Sequence, residues 1–416
     1  MTDPRPLRAA PRSLPQSSKL ADVLYEIRGP VNAEAQRMEA TGERILKLNI
    51  GNPAPFDFPP PSDILRDMIA TLPDSHGYSE SKGILSARRA VVDRYEDIEG
   101  FPEADVDDVY LGNGVSELIM LLLNALLDDG DEVLIPAPDY PLWTAATSLS
   151  GGRPVHYRCA EEDGWNPDVE DLESKVTERT KAIVVINPNN PTGAVYSEDT
   201  LRAITDVARR HGLMLLADEI YDRITYDGVV ATNLATLAPD LLCITLNGLS
   251  KTYRVAGFRS AWMVITGPRE HATGFLEGVE LLTSTRLCAN VPGQQAIQAA
   301  LGGRQSIDDL LLPMGRLTRS RDVAWEGLNA IDGVSCVKPT GALYAFPRLD
   351  PEVHEIRDDQ QFALDLLRSE RILITHGSGF NLPTSDHFRV VTLPHPDDLS
   401  VAVERMGNFL SSYRQH

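Results

Sequence analysis

Only four cysteines occur in 416 residues, Cys159, Cys243, Cys288 and Cys336, and no two of them form a CxxC pair. That scarcity excludes a disulfide framework and a structural zinc site, and it points to a reducing compartment, the cytoplasm. Positive charge is also in short supply. Lys and Arg number 39 against 60 Asp and Glu, a net charge of −21, which argues against general nucleic-acid binding. No long apolar run is present. The longest strongly apolar stretch, 118–123, is far short of the ~20 residues that cross a bilayer. The first residues (MTDPRPLRAAPRSLPQ) carry basic charge without an apolar segment behind it, so they read as a Pro-rich arm and not as a secretory signal. Internal repeats are absent. So is a dinucleotide fingerprint: in the run from Gly112 to Glu117 the third glycine of GxGxxG is replaced by Glu117, which disfavours a nicotinamide-dependent dehydrogenase.

What remains is an ordinary globular composition, 42% apolar and 24% charged, with enough chain for two or three domains at ~150 residues each. From about 105 to 265, short apolar runs alternate with amphipathic stretches. DVYLG (108–112), DEVLIP (131–136), AIVVIN (182–187), LMLLAD (213–218) and LLCITLN (241–247) read as strands. The stretches 116–127 and 198–212 read as helices. Strands apolar throughout and separated by helices predict a parallel sheet covered on both faces. After about 305 the texture changes: a long helix (315–331) and strands at 333–339, 342–349 and 387–393 suggest a second, α+β domain.

In such sheets ligands bind beyond the carboxyl ends of the strands. Five strand ends here carry residues suited to binding. Gly112-Asn113-Gly114-Val115-Ser116 opens a helix. APDYPLW (137–143), PNNPTG (188–193), the Asp218-Glu219-Ile220-Tyr221 run and NGLSK (247–251), with Arg259 eight residues on, follow the others. Each alone has a plain explanation: a turn, a helix N-cap or a solvated lysine. Their joint occurrence along one sheet edge is what calls for a site.

NPNNPTG, ADEIYD and NGLSKTYRVAGFR resemble the class I/II aminotransferases, the fold-type I enzymes that use pyridoxal 5′-phosphate (PLP). The similarity runs from about residue 18 to 413. KLNIGNPAPF (47–56), GNGVSELI (112–119), PAPDYPLWTAA (136–146) and GLSKTYRVAGFR (248–259) are most similar to the bacterial glutamate–pyruvate (alanine) aminotransferase subgroup. The resemblance implies a large domain with a mostly parallel seven-stranded sheet flanked by helices, plus a smaller α+β domain. The corresponding division is an arm (1–17), a segment packing on the small domain and the active site (18–60), a large domain (61–304) and a small domain (305–416). It implies a ping-pong, reversible exchange of an amino group between L-alanine/pyruvate and L-glutamate/2-oxoglutarate in the cytoplasm, as part of amino-acid biosynthesis. A different amino donor (aspartate, branched-chain or aromatic) or a PLP β-lyase is the alternative. A PLP-sensing transcription regulator is disfavoured by the charge and by the short N-terminal arm.

Roles follow from the same resemblance. Lys251 is the amine that carries the cofactor and later moves protons; an amine in that role must be held neutral, which burial favours. Asp218 holds the cofactor's ring nitrogen protonated. Asn190 and Tyr221 hold its ring oxygen, and Tyr140 stacks on the ring face. Gly114, Val115, Ser116, Ser250 and Arg259 seat the phosphate at a helix start. Tyr78 reaches that phosphate from the other subunit of a homodimer. Gly248 stands where many relatives have Ser, which removes one phosphate donor. Arg389, with Gly51 and Asn190, receives the substrate α-carboxylate. Tyr25 and Arg28 meet the distal carboxylate of glutamate, with Arg286 as a rival. No metal is expected.

Overall fold

The computed structural model describes residues 13–20, 23 and 29–415. Eight strands make one sheet: β1 (Val109–Gly112), β2 (Glu132–Ala137), β3 (Arg153–Ala160), β4 (Asn166–Pro167), β5 (Thr180–Ile186), β6 (Met214–Asp218), β7 (Cys243–Gly248) and β8 (Ala261–Thr266). Their order is β1-β8-β7-β6-β5-β2-β3-β4. The pairs β7–β6, β6–β5, β5–β2 and β2–β3 are parallel. β8 runs antiparallel between β7 and β1. β4 is a two-residue antiparallel addition at the far edge, so the expected seven principal strands are present with one short extra strand.

The apolar strands are apolar because both faces are covered. Successive side chains point to opposite faces. On β5, Ile183 and Val185 enter one core with Leu201, Ile204 and Val207 of the helix Glu198–His211. Ala182, Val184 and Ile186 enter another with Leu118, Ile119, Leu122 and Leu123 of the helix Val115–Leu126. The helix Glu198–His211 starts where the Ser197 hydroxyl accepts from Thr200 N, and it stops at Gly212 in the left-handed region (φ 63°).

The C-terminal part has its own core. Three helices, Arg316–Asn329, Asp359–Glu370 and Pro396–Ser412, pack on a small antiparallel sheet in the order Tyr344–Ala345, Phe388–Val391, Thr375–His376. Val31, Ala35 and Met38 of the helix Pro30–Ala40 belong to that same core, and Leu46–Lys47 pairs in parallel with Ile372–Leu373. Residues 30–48 are thus built into the C-terminal part, and they bring 49–52 to the carboxyl ends of the large sheet. Among the described residues no helix is long and apolar enough to cross a membrane.

Candidate active site

A cavity of about 560 Å³ opens at the carboxyl ends of β1, β2, β5, β6 and β7. Its wall holds Val115 and Ser116 after β1, Tyr140 after β2, Asn190 after β5, and Asp218 and Tyr221 at the end of β6. Ser250, Lys251 and Arg259 come from the loop joining β7 to β8. Gly51 and Arg389 close it from the N-terminal segment and the C-terminal sheet. Eleven of the residues singled out from sequence are therefore in one wall.

Lys251 Nζ donates to Gly51 O at 2.9 Å and lies 5.8 Å from the centre of the Tyr221 ring. The loop that carries it is closed at its mouth, where Gly248 pairs with Ala261 and Leu249 N donates to Ser260 O at 2.9 Å. Asp218 is 3% exposed. Its carboxylate accepts from Trp143 Nε1 at 3.0 Å and from Ile220 N at 3.4 Å. Burial outweighs these bonds and the charge of Lys251, and pushes the Asp218 carboxyl up to about 6.

At the β1 end, Gly114 precedes the helix Val115–Leu126 with φ 83°. A Cβ there would lie 2.1 Å from Arg259 Nη2, so only glycine lets the guanidinium reach this turn. Arg259 donates to Ala256 O at 3.0 Å and to Asn113 O at 3.2 Å. The first N–H groups of a helix lack intrahelical partners, and with Ser250 and this arginine they make a seat for an anion. Glu117 lies in that first turn, and Arg286 takes it up at 2.7 Å, with a further bond to Leu111 O at 2.6 Å. Arg286 is thus tied to the helix start and absent from the cavity wall.

Arg389 is 2% exposed. It donates to Asn190 Oδ1 at 2.7 Å and to Asn49 O, and its guanidinium lies over the rings of Tyr344 (4.4 Å) and Phe380 (4.6 Å). These two acceptors and two aromatic faces fix the plane of the guanidinium. A Cβ on Gly51 would come within 2.3 Å of the Tyr344 hydroxyl, so the close approach of that backbone requires glycine.

Tyr78 stands apart, 84% exposed on the outer surface beside Asn113 and Asn290. Tyr25 and Arg28 lie outside the described residues. Gly248 is the buried last residue of β7 and does not line the cavity. A Cβ there would lie 2.8 Å from both Ala261 Cβ and Ser260 O, so the pairing of β7 with β8 leaves no room for a serine side chain without a shift. Sequence reading missed Tyr344, Trp143 and Asn49. Trp143 follows Tyr140 by three residues in the quoted PAPDYPLW, but Tyr344, in an apolar strand pattern, carried no comparable signal.

The class I and II aminotransferase family model matches residues 43–406. The chain belongs to this family. The aminotransferase is 68% identical over 404 residues, 97% of its length, to alanine aminotransferase of Mycobacterium tuberculosis, covering 94% of that protein. It is 56% identical to the glutamate-pyruvate aminotransferase of Escherichia coli, over 96% of this chain and 98% of the other. Among solved structures, an E. coli aminotransferase superposes with a TM-score of 0.96 at 56% identity, covering 97% of this chain and all of that one. Alanine aminotransferase from Pyrococcus furiosus gives 0.91 at 38% identity, over 96% of this chain and all of that one.

Proposed function

We propose that this aminotransferase is a PLP-dependent alanine transaminase that moves an amino group reversibly between L-alanine/pyruvate and L-glutamate/2-oxoglutarate. The observation that carries the alanine reading is the 68% identity across 97% of the chain to a mycobacterial alanine aminotransferase. The cavity fits PLP on its own terms. A buried carboxyl at Asp218, which accepts from the neutral N–H groups of Trp143 and Ile220, suits a protonated ring nitrogen. The helix start at Gly114–Ser116, with Ser250 and Arg259, suits a phosphate. About 560 Å³ suffices for cofactor and a small amino acid together.

When bound, the cofactor supplies the electron sink. The protein does the rest. Lys251 Nζ would hold the cofactor and would carry the proton taken from the substrate Cα. Asp218 keeps a positive charge in place. Asn190 Nδ2 and Tyr221 Oη donate to an oxygen that bears negative charge, and Tyr140 covers the ring face. Arg389 binds the α-carboxylate with its planar fork, and the Gly51 backbone closes on the same group. Tyr25 and Arg28 are assigned to the distal carboxylate of glutamate.

We further propose a homodimer in which Tyr78, exposed in the single chain, completes the partner's phosphate seat. The four free cysteines support a cytoplasmic setting. The packing of 30–48 on the C-terminal core supports the division into an arm (1–17), a crossing segment (18–60), a large domain (61–304) and a small domain (305–416). The test is direct: purified protein, PLP, L-alanine and 2-oxoglutarate, with pyruvate coupled to lactate dehydrogenase. Turnover above an aspartate control is expected, and its absence refutes the alanine assignment.

A further inference from the structure

Tyr344 is 2% exposed and touches both ends of the cavity. It starts the strand Tyr344–Ala345, paired with Val391 on Phe388–Val391, the strand that carries Arg389. Its hydroxyl lies 2.7 Å from that of Tyr221, and the two rings meet edge to face at 5.8 Å and 80°. Its ring lies 4.4 Å from the Arg389 guanidinium. Its hydroxyl is also seated against Gly51, whose carbonyl accepts from Lys251 Nζ at 2.9 Å.

A phenol has one proton and two lone pairs. Within a pair of phenols, one proton lies between the oxygens and the other points elsewhere. In the reading proposed above Tyr221 gives its one proton to the cofactor's ring oxygen, so only its lone pairs are left to face Tyr344, and the 2.7 Å bond between the hydroxyls takes its proton from Tyr344.

We propose that Tyr344 is a positioning residue: by donating to Tyr221 it directs the single Tyr221 proton toward the cofactor's ring oxygen, while its ring carries Arg389. One side chain then sets both the cofactor end and the carboxylate end of the site. The inference rests on the PLP reading given above. A chain of two donors strengthens the terminal bond by about 10–30%. For a hydrogen bond to an ionic oxygen that amounts to about 0.3 pH unit in the midpoint at which the bound cofactor's visible band changes.

The experiment compares four holoenzymes without substrate: wild type, Tyr344→Phe, Tyr221→Phe and the double variant. Tyr344→Phe is expected to raise the midpoint by about 0.3 unit. Tyr221→Phe is expected to raise it further, and adding Tyr344→Phe to Tyr221→Phe is expected to change nothing more, because the effect passes through Tyr221. In turnover, Tyr344→Phe keeps the ring under Arg389, so kcat falls while KM for alanine holds. Tyr344→Leu loses the ring, and KM rises as well. An unmoved midpoint in Tyr344→Phe, or an equal shift in the Tyr221→Phe background, overturns the inference while leaving the PLP reading standing. A wild-type chain that acquires no visible band with PLP overturns both.

Discussion

Asp218→Asn should stabilise the cofactor-free protein and damage the enzyme. The Asp218 carboxyl has an ordinary value of 3.8, and burial raises it to about 6 in the folded chain. Between these values the folded state holds a proton that the unfolded state has released. Stability therefore falls as pH rises through this window. No cost is present below about 3.8, and the full cost is present above about 6. Two units at 1.36 kcal/mol each make that cost on the order of 3 kcal/mol at neutral pH. Asparagine keeps an oxygen for Trp143 Nε1 and carries no charge to bury. Urea unfolding of the cofactor-free forms at pH 7.5 should favour the variant by about 3 kcal/mol, with the difference closing toward pH 4. Saturation with PLP should reverse the order, since only the wild type offers the ring nitrogen an anion, and kcat of the variant should collapse. A cofactor-free wild type as stable as the variant at pH 7.5, or an equal gain in Tm from PLP in both, would refute the reasoning.

Arg389→Ala should raise KM for alanine and glutamate alike by roughly 30-fold or more, from the ~2–5 kcal/mol that such a truncation costs; steady-state kinetics showing an unchanged KM would remove Arg389 from the carboxylate. Gly114→Ala forces a side chain onto φ 83° and against Arg259 Nη2, and the ~1–3 kcal/mol of strain should weaken PLP binding about tenfold, read by fluorescence titration. Gly248→Ser should lower stability by about 1–3 kcal/mol, because its Cβ meets Ala261 and Ser260 at 2.8 Å, without tightening PLP. Tighter binding would show that a phosphate donor is missing at that position.

The large sheet was legible because its central strands are buried on both faces and read as unbroken apolar runs. β3 was not: it starts Arg153-Pro154, its first residues are exposed or half-buried, and it reads as a loop. β8 is as apolar as the others, but nothing in Ala261–Thr266 tells that it runs back antiparallel after the Lys251 loop. In the C-terminal part the stretch 342–349 breaks into Tyr344–Ala345 and Arg348–Leu349, because Phe346 and Pro347 leave the ladder. The cavity residues on the strand ends were legible because polar and glycine residues interrupt apolar patterns there. Tyr344 lies inside such a pattern, and only its pairing with the Arg389 strand brings its hydroxyl to Tyr221.

The loop between β7 and β8 spans 249–260, and its two ends are fastened to each other by the Gly248–Ala261 pairing. In the proposed cofactor reading it is a caliper whose jaws are the amine of Lys251 and the fork of Arg259. A cofactor has a fixed span from aldehyde to phosphate, and a hinge clamped at its base has nowhere to absorb extra length. Insertions elsewhere on this surface lengthen a loop; one residue added between these jaws would set the gauge to the wrong molecule.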